Sequence, residues 1–178
     1  MQRHSNPQIA LKPQDLLILF KIAVRKDTFT YVSLGRALFL SASEVHAGIN
    51  RARLSRLTAD SQDEVMQIDK AALQEFVVHG ARYAFPPVHG SLTRGIPTAY
   101  AAPAFEQVIS RSDGPPPIWP YAKGAVRGAA LYPLFPSVPR AAEADPDLYA
   151  LLSLFDALRI GSAREREYAT NQIVKILS

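Results

Sequence analysis

Proline divides this chain. Twelve of its 14 prolines fall between Pro86 and Pro146, and the five glycines Gly90, Gly95, Gly114, Gly124 and Gly128 share that stretch. Each proline locks φ and removes a backbone donor, so helices are not expected to run through it. Residues 1–81 and 145–178 instead carry helical periodicity with few breakers. The spacing therefore predicts a mainly α fold with a helical N-terminal domain (1–81), followed over 82–178 by an irregular Pro/aromatic-rich segment and two C-terminal helices that serve interaction or dimerisation.

Composition narrows the class. With 48% apolar and 20% charged residues, 178 residues are enough for a buried core and too apolar for wholesale disorder. The longest apolar run, Leu16 to Phe20, falls far short of the roughly 20 residues that span a bilayer. The first residues have no apolar core followed by small residues, so a cytoplasmic location is expected. Zero cysteines exclude disulfides, thiolate zinc sites, iron–sulfur clusters and thiol nucleophiles. Charge is uneven: residues 1–60 hold nine Lys/Arg against four Asp/Glu, and residues 61–178 hold eleven against twelve. Such asymmetry fits an N-terminal segment that meets a polyanion, and equally fits ordinary solvated cations.

The N-terminal elements follow from caps and periodicity. Residues 13–25 open with Pro13 in the first turn and Asp15 near the positive helix end, with Leu16, Leu19, Phe20 and Ala23 as an inward stripe that Leu17 and Val24 widen. Thr30 caps a short helix over 31–39, whose apolar residues are Val32, Leu34, Ala37 and Leu38. Ser41 and Glu44 form a capping box, placing a third helix over 42–57. Stepping 100° per residue from Val45 brings Ile49, Ala52 and the stem of Arg56 within about 40° of it. Ser43, Ala47 and Asn50 point the other way, flanked by His46 and Arg51.

Two short helices joined by a tight turn, the second opening on a capping box, have the form of a helix-turn-helix. A face of small, polar and basic residues suits a major groove, where bulk would hold the helix off the base edges and Asn and Arg can make paired hydrogen bonds. Leu54 is the misfit on that face and is expected to pack on a wing or on the next helix. Gly48, in the helix interior, either permits close approach of the second helix or is simply tolerated. The polar stretch 58–64 followed by Val65-Met66-Gln67-Ile68 suggests a small hairpin wing, acidic at Asp60, Asp63 and Glu64 and so unsuited to lie deep in a groove. Asp69 then caps a helix over 70–81 that buries Leu73, Phe76, Val77 and Gly80.

The run Leu34-Gly35-Arg36-Ala37-Leu38-Phe39-Leu40-Ser41-Ala42-Ser43-Glu44-Val45-His46 resembles winged helix-turn-helix bacterial regulators of the MarR-like kind, over roughly residues 13–81. That resemblance implies sequence-specific binding of duplex DNA as a dimer, carried by Ser43, His46, Ala47, Asn50, Arg51 and Arg53. Arg56, with Arg51 and Arg53, is a further candidate for phosphates and base edges. The acidic wing and the absence of long flanking dimerisation helices depart from the family's pattern.

Downstream, aromatics alternate with prolines around Tyr100, Trp119, Tyr121, Tyr132 and Phe135, with little charge, which predicts an ordered segment packed against helices or at a subunit interface. Residues 125–131 fit a short strand after a turn at Lys123-Gly124. Arg94 and Arg127 admit two readings, a site for an anionic effector or buried arginines bonded to loop carbonyls. Asp145 with Pro146 caps a helix carrying Leu148, Leu151, Leu152, Phe155 and Leu158, stopped at Gly161, and Ser162 with Glu165 caps the last helix. The pair buries its faces either internally or against a second subunit. The four histidines, His4, His46, His79 and His89, show no metal-ligand spacing, and no phosphate loop, GxGxxG or GxSxG occurs. Neither an enzyme, nor a metal, nor a cofactor is expected. Two functions remain: a dimeric DNA-binding transcriptional regulator, most simply a repressor, and an antitoxin-like protein whose C-terminal region binds a partner protein while its winged domain autoregulates the operon.

Overall fold

A computed structural model describes residues 9–24, 28–59, 67–106 and 114–178. The fold is mainly helical, with one small three-stranded sheet. Helix α1 (Pro13–Ala23), α2 (Tyr31–Leu38) and α3 (Ala42–Leu54) pack on one another at the N-terminal end. The caps sit where the sequence places them. The Thr30 hydroxyl accepts from the Ser33 N–H at 3.1 Å, and the Ser41 hydroxyl accepts from the Glu44 N–H at 3.1 Å while Glu44 reaches back to the Ser41 N–H at 2.8 Å.

Helix α1 is more deeply buried than its stripe predicts. Every residue from Asp15 to Phe20 is at most 1% exposed, because α1 lies between α3 on one side and the C-terminal helix α7 (Pro146–Ile160) on another. Burying five large apolar side chains, each worth about 1.5–3 kcal/mol, makes this helix a pillar of the core. The apolar face of α2 is narrower than expected, with Val32 52% exposed and Leu34 and Leu38 inside.

Helix α3 ends three residues earlier than the periodicity suggests. Ser55 is its C-cap and Arg56 takes a left-handed backbone at φ 57°, with Leu57 N–H donating to Ala52 O and Arg56 N–H to Arg53 O. This is a Schellman ending with arginine in the position glycine usually fills. The stem of Arg56 is therefore not part of the inward face. Helix α2 ends the same way on Phe39, also at φ 57°, whose ring lies under the Arg140 guanidinium at 3.8 Å.

A short antiparallel ribbon follows. Thr58 bridges Ile68, Ala59 N–H donates to Gln67 O, and Asp69 N–H donates to Leu57 O. The acidic tip expected at Asp60, Asp63 and Glu64 lies outside the described residues. Asp69 caps α4 (Lys70–Glu75), which continues through a π turn (Phe76–Gly80) into α5 (Ala81–Ala84). The wider π turn carries the buried stripe along Leu73, Val77 and Ala81, leaving Phe76 and Gly80 half-buried instead of inside.

The proline-rich middle is more regular than its composition suggests. Strands β1 (His89–Pro97), β2 (Pro117–Pro120) and β3 (Val126–Leu131) each pair with both others, β1 antiparallel to each and β2 parallel to β3. The prolines of β1 and β2 stand at strand ends, where no ladder donor is required. Closing so few strands demands backbone contact. A Cβ on Gly95 would stand 1.9 Å from the Trp119 carbonyl oxygen, one on Gly128 2.1 Å from that of Pro116, and one on Gly124 2.2 Å from the Gly95 carbonyl. These three glycines form the knot at which the strands cross. A short helix, α6 (Val138–Glu143), also forms among the prolines, against expectation. Pro139 falls in its first turn, where its missing N–H costs no hydrogen bond.

Helix α7 and helix α8 (Ala163–Leu177) form the C-terminal pair, with Asp145 accepting from the N–H groups of Asp147 and Leu148 and the Ser162 backbone N–H held by Glu165. Their faces are buried within the chain. Residues 151–158 of α7 are all buried, Phe20 meets Phe155 edge to face at 5.7 Å, and one hydrophobic cluster runs from α1 through α7 to α8. Trp119 is 1% exposed and packs against Tyr149, so its indole belongs to this core and not to a subunit interface. No helix among the described residues is long and apolar enough to cross a membrane.

Candidate nucleic-acid interface

Helix α3 is set against α1 by one feature the sequence leaves ambiguous. A Cβ on Gly48 would lie 2.7 Å from Ile18 Cδ1 and 2.9 Å from Asp15 Oδ1, so Gly48 lets α3 approach α1, not α2. At this crossing Arg51 turns inward. Its Nε donates to Asp15 Oδ2 at 2.7 Å and its Nη2 to Asp15 Oδ1 at 2.6 Å, a bidentate pair with a fully buried carboxylate that also accepts from the Lys12 N–H. The hydrogen bond to Asp15 raises the Arg51 pKa further, against the opposing effect of burial. The helical period gives Arg51 an outward place. Its fork instead holds α1 to α3.

The other residues expected on this face separate by position. Ser43, His46 and Arg53 are exposed, and Ala47 and Asn50 are half-buried at the edge of the same face. Asn50 Nδ2 lies 3.4 Å from His46 Nδ1, and the His46 ring stands edge-on to Tyr31 of α2 at 5.3 Å. Tyr31 is thus a member of this surface that sequence reasoning missed. No local signal marks it, since its partner lies on another helix. Arg56 is exposed but sits past the helix end. Leu54 is 62% exposed, in place of the packed position expected for it. Arg53 and Arg36 form no ion pair with a described residue.

The N-terminus of α3 is already occupied by an anion. Glu44 is held below its ordinary pKa first by the Ser41 backbone N–H and then by the Ser41 hydroxyl, so its carboxylate stays charged over the free N–H groups. A phosphate would gain little there. The exposed cations of the α2–α3 unit are the side chains of Arg36, Arg53 and, past the helix end, Arg56.

A concave feature lies elsewhere on the molecule. A cleft of 510 Å³ is lined by Pro97, Tyr100, Pro103, Glu106, Val126 and Tyr149, among others. The Tyr149 hydroxyl donates to the Pro97 carbonyl at 2.6 Å, and burial pushes its pKa up to about 12. That phenol stays protonated at neutral pH and serves as a donor, not a base. Among the described residues no three His, Asp or Glu side chains come together as a metal would require.

The buried arginine anticipated in the middle segment is neither Arg94 nor Arg127, which are both exposed. Arg159 has that place. Its Nη1 reaches the carbonyls of Phe85 and Pro86 at 3.3 and 3.5 Å, while Nε and Nη2 donate to Asp156 Oδ1 at 3.1 and 2.6 Å. Asp156 Oδ2 accepts from the Thr98 hydroxyl at 2.7 Å and the Trp119 indole at 2.6 Å. A charged Asp-x-x-Arg in an otherwise apolar helix is the sequence signal for it. The chain matches no protein-family model, no curated protein and no solved structure.

Proposed function

We propose that this chain is a sequence-specific duplex-DNA-binding transcriptional regulator, with α2 and α3 as a helix-turn-helix and the ribbon at Thr58 and Ile68 as the base of a wing. The reading is carried by the outward face of α3, where Ser43, His46, Ala47, Asn50 and Arg53 present small, polar and basic groups on a helix capped at its start and pinned from behind by Arg51. Asn50 and Arg53 read base edges and phosphates in this scheme, and His46 positions Asn50. Regulators of this kind act as dimers on half-sites about 34–36 Å apart. Fluorescence anisotropy with DNA from upstream of the chain's own gene tests it. Asn50→Ala with Arg53→Ala should erase the preference for that DNA over a random duplex, with helical content unchanged. Equal discrimination by the wild type and this variant would reject the assignment.

A second reading, in which the chain binds a partner protein as an antitoxin does, draws support from one surface. Val88, Leu92 and Tyr132 are each more than half exposed on or beside β1 and β3. Large apolar groups grouped on one sheet favour a protein contact. A toxic product from the adjacent gene, neutralised on co-expression, would favour this reading over the first.

A further inference from the structure

Register places two like charges face to face. Arg94 of β1 pairs directly with Arg127 of β3, and residues directly opposite in an antiparallel pair project to the same side with Cβ atoms about 4.5–5.5 Å apart. Both side chains are exposed, as is Lys123 in the turn before β3. Among the described residues none of the three forms an ion pair, and Glu143 accepts from the Tyr121 hydroxyl.

The backbone prevents this cluster from relaxing by slippage. Each cation directly precedes a glycine of the knot: Arg94-Gly95, Lys123-Gly124 and Arg127-Gly128. Gly95 and Gly124 are in backbone contact and Gly128 is pressed on Pro116, so the strands cannot shift register to part the arginines. Like charges directly opposite cost stability unless something neutralises them. Arginine forks at this spacing suit a compact, multiply charged oxyanion, and guanidinium groups bind phosphoryl oxygens bidentately.

We propose that Arg94, Lys123 and Arg127 form a phosphoryl-binding site on the exposed face of the sheet. The phosphoryl group comes either from a nucleic-acid backbone or from a small phosphorylated molecule. The site does not depend on the role given to α3.

The test uses the full chain with two probes, inorganic tripolyphosphate by calorimetry and a random-sequence duplex by anisotropy across a salt series. Arg94→Gln with Arg127→Gln should weaken tripolyphosphate binding at least tenfold, whereas Arg53→Gln should leave it unchanged. If the backbone of a duplex is the source, the same double variant should also reduce the slope of log affinity against log salt by about two, since each phosphate that is no longer neutralised lowers it by about 0.9. Loss of tripolyphosphate binding with an unchanged duplex slope assigns the site to a small ligand. A chain that binds tripolyphosphate here but binds no duplex keeps this site and rejects the proposed function of α3. Should the double variant fold poorly, Lys123→Gln gives a smaller loss, and Arg94→Lys with Arg127→Lys, which keeps both charges but removes the forks, should weaken binding by less than the glutamine pair does. Tripolyphosphate that does not bind the wild type, or that binds wild type and folded variants alike, overturns the proposal.

Discussion

Each half of the molecule buries a carboxylate beneath an arginine fork, and the two do different work. Asp15 ties the start of α1 to α3 through Arg51, with the Lys12 N–H as its other partner. Asp156 gathers Thr98, the Trp119 indole and Arg159, which in turn holds the Phe85 and Pro86 carbonyls, so four separated segments meet at one side chain. The Arg51 side chain keeps 17% of its exposure and that of Arg159 only 3%. The same ion pair thus fixes a single helix crossing in one region and a whole chain path in the other. The first kind can be exchanged for another contact; the second has no local substitute.

The largest effect should therefore fall on the second. Asp156→Asn leaves Arg159 buried without its counter-charge and turns an amide toward a guanidinium. Breaking a buried pair from one side costs about 3–5 kcal/mol. Urea unfolding should show a loss of that size with the sheet and α7 failing together. A loss below about 1 kcal/mol would mean that the segments around Asp156 are held by packing alone.

Arg51→Ala should cost less, about 2–3 kcal/mol, because Asp15 retains the Lys12 N–H and water reaches part of the arginine. This substitution also separates structure from recognition. Asp15→Asn with Arg51→Met removes both charges, and replacing a whole buried pair is far gentler than breaking it. Stability should recover by half or more, and DNA binding with it. Recovered stability with binding still absent would return Arg51 to the proposed DNA-contacting face.

What can be read from the sequence follows the range of each interaction. Thr30, Ser41, Asp69, Asp145 and Ser162 cap helices as expected, since each cap is settled within four residues of chain. The same holds for the strand before Leu131 and the stop at Gly161. Contacts across the chain are illegible. The periodicity of α3 gives Arg51 an outward place because a helical wheel carries no information on Asp15, 36 residues away. The proline-rich segment hides a sheet because its order comes from glycine contacts among Gly95, Gly124 and Gly128, which composition reports only as turn residues. Of the candidate interface, the exposed places of Ser43 and His46 are visible in the helical period, Arg53 enters through the resemblance and is exposed, and Tyr31 needs the packing of α2 on α3.

The smallest effect lies on the seam between the two regions. Lys21, near the end of α1, donates to Asp145, the N-cap of α7, and its ammonium also stands over the Phe29 ring at 5.2 Å. Burial pushes the Asp145 pKa up, but the Lys21 hydrogen bond and the N–H groups of Leu148 and Asp147 outweigh it, so the net shift is downward. A carboxyl with a lowered folded pKa stabilises the fold above its unfolded value of about 3.9, and that contribution is lost as pH falls through the folded value. Asp145→Asn keeps a good cap and removes only the charge, which should cost about 0.5–1 kcal/mol. Thermal melts across pH should show wild type above variant by a constant margin from pH 5 to 8, closing as pH drops below about 4. Asp145→Ala should add roughly a further 1 kcal/mol at every pH, because the cap itself is then gone. A margin that stays constant into acid would mean that the Lys21 contact carries no net energy, and that the two regions are joined by Phe20, Phe155 and their apolar neighbours alone.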